Sequence, residues 1–122
     1  MKTRVIVCGG RDFNNADKCN QALDFYLRES NDKYEIISGH AKGADTLGEQ
    51  YAISNNIELT LFPADWNKYG RAAGPIRNRQ MLDYALKSKA IIIAFWDGKS
   101  RGTKNMIDIS TNAGATVYIE KY

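Results

Sequence analysis

The 122-residue sequence holds one histidine, two cysteines and two prolines. With His40 alone and Cys8 and Cys19 as the only thiols, no cluster has zinc-ligand spacing and there is no disulfide framework. Both thiols are expected to be small core residues rather than reactive groups, and no metal site is expected. Long apolar stretches are also missing. The run from Ala90 to Trp96 is far too short to span a bilayer. Met1-Lys2-Thr3-Arg4 leads directly into an apolar pattern rather than a signal sequence, so the expectation is a cytoplasmic protein with no membrane partner. Internal repeats, low-complexity tracts and linkers are absent as well. What is there suits one domain over residues 1–122, since 43% hydrophobic content is ordinary for a chain of this size with a single core.

The net charge of +3 is modest but unevenly distributed. Nine of the seventeen bases, among them Arg11, Lys42, Arg77 and Arg101, lie in or beside glycine-rich connecting segments. Those segments carry only four acids, Asp12, Asp45, Asp65 and Asp97, a local balance of +5 that leaves the rest of the chain at −2. Charge gathered in loops, rather than along one helix face, favours a focused anion site over a nonspecific nucleic-acid stripe. Solvated surface charge accounts for several of these bases equally well.

Five short apolar runs alternate with helical patterns. Arg4–Cys8 ends in Gly9-Gly10 and predicts a buried first strand followed by a sharp turn. Asn14-Asn15 can cap a helix in which Cys19, Ala22, Leu23 and Tyr26 share a face until Ser30-Asn31-Asp32 interrupts it. Glu35–Ser38 predicts the second strand, Ile57–Phe62 the third, Ala90–Phe95 a central fourth and Ala115–Ile119 the last. Pro63 to Gly74 is expected to be a long ligand-side connection, with Pro75 in the first turn of the following helix. Parallel strands need crossover connections that cover the sheet. The predicted fold is therefore α/β, a single Rossmann-like domain with a five-stranded parallel sheet in the order 3-2-1-4-5 and helices on both faces. That order puts a switch point between the first and fourth strands, where ligands settle.

The turn Ser38-Gly39-His40-Ala41-Lys42-Gly43-Ala44-Asp45 lies between the second strand and its helix. Two glycines allow a tight turn and close ligand approach, and the amides opening the helix lack intrahelical partners, so the turn can cradle an anion. Lys42 adds a mobile cation, and Asp45 can cap the helix or accept from a ligand hydroxyl. The Gly39–Gly43 spacing is too short for a Walker A loop, which also ends in Gly-Lys-Ser/Thr. An ordinary glycine-rich loop would have the same composition. Two further turns fall on the same edge of the predicted sheet, however: Gly9-Gly10-Arg11-Asp12 and Trp96–Thr103, which contains Gly98, Arg101 and Gly102.

The stretches Val7-Cys8-Gly9-Gly10-Arg11-Asp12-Phe13, Ser38 to Asp45 and Gly74-Pro75-Ile76-Arg77-Asn78-Arg79, with the helix start at Gly102-Thr103, resemble the YspA-like, YpsA-related branch of the SLOG superfamily. That superfamily also includes the LOG phosphoribohydrolases and the DNA-processing protein DprA. The resemblance spans nearly the whole chain and implies a Rossmann-like fold, a nucleotide or nucleotide-derived ligand and a homo-oligomer. The hydrolase motif Pro-Gly-Gly-X-Gly-Thr-X-X-Glu is altered here: Gly98-Lys99-Ser100-Arg101 stands in its first part, and Met106 occupies the glutamate position. The hydrolases' Arg-Lys-X-X-Met helix matches Arg77–Met81 except that Asn78 replaces the lysine. Phosphate recognition is compatible with these changes, whereas LOG-type phosphoribohydrolase activity is not expected.

Three functions compete on this basis. In the first, a small-ligand module, a sensor or processing unit, holds phosphate on backbone amides after the second and fourth strands. Lys42, Arg77 and Arg101 balance its charge, Asp45 or Asp97 binds ribose, and Trp96 or Trp66 stacks on a base; core or lid packing explains both tryptophans as well. No cofactor is identified, and a nucleotide or ADP-ribose-like molecule suits the ligand role. In the second, an enzyme cleaves an N-glycosidic or phosphate linkage with Asp45, Glu49 or Asp97 as the acid–base group; Asp45 and Glu49 lie one turn apart, as does any exposed acidic pair. The third is single-stranded nucleic-acid binding, with Trp66, Tyr69 and Trp96 stacking beside Arg71, Arg77 and Arg79.

Overall fold

The apolar runs form a parallel sheet because both of its faces are covered. A computed structural model describes residues 2–27 and 33–122. Its strands are β1 (Thr3–Gly9), β2 (Tyr34–Ser38), β3 (Glu58–Leu61), β4 (Lys89–Trp96) and β5 (Thr116–Lys121), joined in the order β3-β2-β1-β4-β5. Every pairing is parallel, and the β1–β4 ladder runs from Thr3 opposite Lys89 to Gly9 opposite Phe95. Helices α1 (Ala16–Leu27), α2 (Ala44–Ser54), α3 (Trp66–Tyr69), α4 (Ala73–Leu86) and α5 (Arg101–Asn112) fill the connections.

Alternation along each strand divides the core. Val5, Val7, Ile36, Ile93 and Phe95 face one way, onto Cys19 and Leu23 of α1 and Ala52 of α2. Ile6, Ile37, Ile92 and Ala94 face the other, onto Met81, Leu82 and Ala85 of α4 and Met106 and Ile107 of α5. Two buried faces explain why the central strands read as unbroken apolar runs. Each fully buried Ile or Leu contributes about 1.5–3 kcal/mol relative to exposure. Both cysteines are buried among these side chains and unpaired.

Local signals set the helix starts. Asn15 Oδ1 accepts from the Lys18 amide at 3.0 Å to open α1, and Ser100 caps α5 through the Thr103 amide. The predicted interruption at Ser30-Asn31-Asp32 lies outside the described residues. The segment 63–74 departs from the expected long connection. Asp65 Oδ1 accepts from the Lys68 amide at 3.1 Å and starts the short helix α3, a 3₁₀ turn follows over Gly70–Ala72, and α4 begins at Ala73. Pro75 sits in that first helical turn, where its missing N–H has no bond to lose. Among the described residues no helix is long and apolar enough to cross a membrane.

The N-terminal edge of the sheet carries a buried carboxylate. Glu35 is 0% exposed, and accepts from Arg4 Nε at 3.2 Å, Thr60 Oγ1 at 2.5 Å and Tyr84 Oη at 2.5 Å. Burial alone would raise its pKa, but these bonds more than offset that and hold it below the ordinary value. Arg4 also lies over the Tyr84 ring at 3.9 Å. Glu35 is thus satisfied by protein donors.

Candidate functional site

At the C-terminal edge the end of β1 and its turn press backbone to backbone on β4 and on the turn after β2. A Cβ on Gly9 would lie 2.4 Å from the Phe95 carbonyl oxygen, and one on Gly43 would lie 2.3 Å from that of Gly10. Gly43 also has φ 79°, which favours glycine. The Ala44 amide donates to Gly10 O at 3.2 Å, the Ala41 amide to Asp45 Oδ2 at 3.1 Å and the His40 amide to Ser38 Oγ at 3.1 Å. Several amides that the sequence offers as an anion cradle are therefore occupied by the protein itself. Gly43 is the N-terminal cap of α2 and makes no side-chain cap bond. Asp45 lies inside the helix and reaches back to the turn, so it does not cap α2.

A cavity of about 490 Å³ opens between the turns after β1 and β4, within the roughly 300–1,000 Å³ range of small-molecule sites. Gly9, Gly10 and Arg11 line one side, Ser100, Gly102 and Thr103 the other. The first amides of α5, at Arg101 and Gly102, have no intrahelical acceptor and carry the positive end of the helix dipole. Met81 and Met106 add an apolar surface. Met106 is buried, so the position where LOG relatives carry glutamate presents a thioether here.

Arg77, from α4, is the cation most firmly built into this cavity. Its Nη1 donates to Gly39 O at 2.6 Å and its Nε to Asn78 Oδ1 at 3.1 Å. Asn78 is buried, and its amide nitrogen donates to Gly102 O at 3.2 Å and Asn105 Oδ1 at 2.9 Å. One side-chain pair thus ties the β2 turn, α4 and α5 into a fixed arrangement. Burial lowers the Arg77 pKa, Asp45 opposes that and Arg11 reinforces it; the guanidinium stays charged. Gly39 itself is outside the left-handed region, which His40 occupies with φ 59°. The role of Gly39 is steric, because its Cβ position falls 2.5 Å from Arg77 Nη1.

Three carboxylates line the same space, each held by a different donor. Burial raises Asp45 to about 6, partly countered by the Ala41 amide and Arg77 and assisted by Glu49. Asp97 accepts from the Ser100 and Lys99 amides, both at 2.8 Å, which hold its pKa below the ordinary range. Asp12 Oδ1 accepts from Tyr122 Oη at 2.6 Å. Cys8 also reaches the cavity wall, but burial pushes its thiol pKa well upward and leaves it a poor nucleophile.

The other sequence candidates fall around this centre. Glu49 engages Ser38 Oγ at 2.7 Å and His40 Nδ1 at 3.0 Å, and does not line the cavity with Asp45. Trp96 donates from Nε1 to Ser100 O at 3.1 Å and packs against the core beneath α5, outside the lining. Gly98 and Arg101 are exposed and also outside it. Lys42, His40 and Trp66 border a neighbouring cavity of about 500 Å³ that shares Arg11, Ala41 and Arg77 with the first. Trp66 is 49% exposed, with Arg11 5.8 Å from its ring. The sequence did not assign Asn78 and Met81 to the site, and offered Asp12 and Ser100 only as members of the turns Gly9–Asp12 and Trp96–Thr103. Nothing local announces that Tyr122 bonds Asp12.

The chain is similar to the Gene 61 protein of Mycobacterium phage D29, at 29% identity over 119 residues and 93% of each chain. Its fold is similar to the X-ray structure of DNA processing protein A (DprA) from Streptococcus pneumoniae, with a TM-score of 0.54 and 15% identity. That match covers 98% of this chain and 59% of DprA, so the chain spans about three-fifths of that protein, and the likeness is one of fold. The sequence pattern of the YspA, cpYpsA-related SLOG family matches residues 3–69, which include the turns after β1 and β2. On that match, the chain belongs to the YspA, cpYpsA-related SLOG family.

Proposed function

We propose that the protein binds a nucleotide or nucleotide-derived phosphorylated ligand in the cavity between the β1 and β4 turns. One observation carries the reading: Arg11 and Arg77 both line the cavity, and neither forms an ion pair with a described residue. Asp12, Asp45 and Asp97 line the same space without pairing with either guanidinium, so Arg11 and Arg77 keep donors free for a phosphate, which there also meets the open amides of α5. Calorimetric titration with ADP, AMP and adenosine tests this. Both phosphorylated compounds are expected to bind at least about tenfold more tightly than adenosine, since charge-assisted contacts contribute roughly 1.5–3 kcal/mol each. Arg77→Ala removes most of that difference and exposed Lys42→Ala less. Equal affinity for adenosine, or no binding by any of the three, refutes the proposal.

A hydrolytic reading is favoured by Asp45, a cavity carboxyl titrating near 6, where a general acid–base group works well. It would act on an N-glycosidic or phosphate linkage. Chromatography of AMP incubated with the protein distinguishes this reading: adenine or adenosine produced by the native chain but not by Asp45→Asn would support it. Because Met106 supplies no carboxylate, the LOG-type release of base is not expected.

A further inference from the structure

We infer that the cavity takes up a proton together with its phosphate, the proton settling on the buried carboxyl of Asp45. The inference rests on the phosphorylated-ligand reading above and adds a regulation to it: binding strengthens as pH falls. Asp45 is 6% exposed and lines the cavity with Arg11 and Arg77, yet it forms an ion pair with neither. Its Oδ2 accepts from the Ala41 amide at 3.1 Å, and its Oδ1 makes no hydrogen bond to a described residue. The other titratable and charged groups around it are Cys8 from β1, Arg11 and Asp12 from the following turn, Glu49 from its own helix, Arg77 from α4 and Asp97 from the turn after β4. His40 pairs with Glu49 at 3.0 Å, so it acts on Asp45 only through that side chain.

Burial and Glu49 favour the neutral carboxyl, while the Ala41 amide, Arg77 and Arg11 favour the carboxylate, a balance that leaves Asp45 at about 6. At pH 7 the empty site is therefore mostly ionised, with about a tenth of Asp45 protonated. A phosphate held by Arg11 and Arg77 alters both sides of that balance. It neutralises the two cations that sustain the charge on Asp45, and it brings its own negative charge into the same confined space. A like charge that close holds a carboxyl proton roughly 10- to 100-fold more tightly. The proton enters from solvent with the ligand and returns to solvent when the ligand leaves. Linkage makes the effect reciprocal, so protonating Asp45 tightens phosphate binding by the same factor.

Calorimetry with ADP and with inorganic pyrophosphate at pH 7, repeated in buffers of different ionisation enthalpy, counts the protons exchanged on binding. Asp45→Asn is the reference, because it keeps an acceptor for the Ala41 amide and cannot take the proton. The native protein is expected to take up about 0.4–0.8 proton more than Asp45→Asn with either compound; the subtraction removes protons exchanged by the phosphates themselves. Asp45→Asn should bind ADP about 10- to 50-fold more tightly than the native chain at pH 8, and within about twofold of it at pH 5.5. Equal proton counts in the two proteins, or an affinity ratio that stays constant from pH 5.5 to 8, overturn the proton coupling but leave the nucleotide reading standing. Proton-coupled binding of pyrophosphate without binding of ADP upholds the coupling and removes the nucleotide reading. Absence of binding by both compounds removes both.

Discussion

Replacing Gly39 with alanine should disable Arg77 without unfolding the protein. The new Cβ would lie 2.5 Å from Nη1, 2.8 Å from Cζ and 3.0 Å from Nε of Arg77. The backbone at Gly39 is outside the left-handed region, so alanine fits the main chain, and the atoms that must yield belong to the end of a flexible side chain. Displacing the guanidinium breaks its 2.6 Å bond to Gly39 O, a cost of about 1.5–3 kcal/mol for a charged donor. Reduced freedom of the unfolded chain returns about 0.4–1 kcal/mol, so the net loss of stability is about 0.5–2.5 kcal/mol. Binding responds as well. Losing one charge-assisted phosphate contact costs about 1.5–3 kcal/mol, or roughly 10- to 150-fold in Kd for ADP. The assay is a double-mutant cycle by calorimetry, in which adding Gly39→Ala to Arg77→Ala should change affinity by under about 0.5 kcal/mol. Undiminished binding by Gly39→Ala, or fully additive losses in the double variant, would refute the steric route from Gly39 through Arg77.

Other substitutions test the rest of the frame. Gly43→Ala should destabilise by about 2–4 kcal/mol in urea denaturation, because its Cβ meets the rigid carbonyls of Gly10 at 2.3 Å and Arg11 at 2.6 Å and its φ is 79°. Asp45 titrates near 6 when folded against an ordinary 3.8, so the folded state holds the proton more tightly and stability falls as pH rises from about 4 through 6. Asp45→Asn should abolish that slope and stabilise the protein by about 3 kcal/mol at pH 7; a less stable variant contradicts the burial argument. Glu35 has the opposite sign. Its folded pKa is below the ordinary 4.5, so its contribution is complete above that pH and is lost as pH falls through the lowered value. The stability gap between the native chain and Glu35→Gln should close on acidification.

The sheet order was legible because strands buried on both faces leave apolar runs, as Val5–Cys8 and Ile91–Phe95 do. The helix α3 was not, since a four-residue helix with none of its residues buried leaves no apolar periodicity to detect. Glu35 looked like a polar start to the second strand; its partners Arg4, Thr60 and Tyr84 come from distant parts of the chain. The same limit applied to the site. The glycine turns and Arg77 were visible, but the Gly10 carbonyl that occupies the Ala44 amide is supplied by tertiary packing. Asn78 was visible as a departure from a relative's pattern, whereas its bridge from Arg77 to α5 depends on two helices meeting.

An ¹⁵N-resolved NMR titration of the protein with ADP tests the central claim most directly, because it locates the ligand as well as detecting it. The amides of Gly9–Asp12, Arg77 and Gly102-Thr103 should shift together and saturate along one binding curve, with that response lost in Arg77→Ala. Shifts confined to the groove between α1 and α2, around Asn20, Asp24 and Gln50, or no shifts at millimolar ADP, would contradict the account.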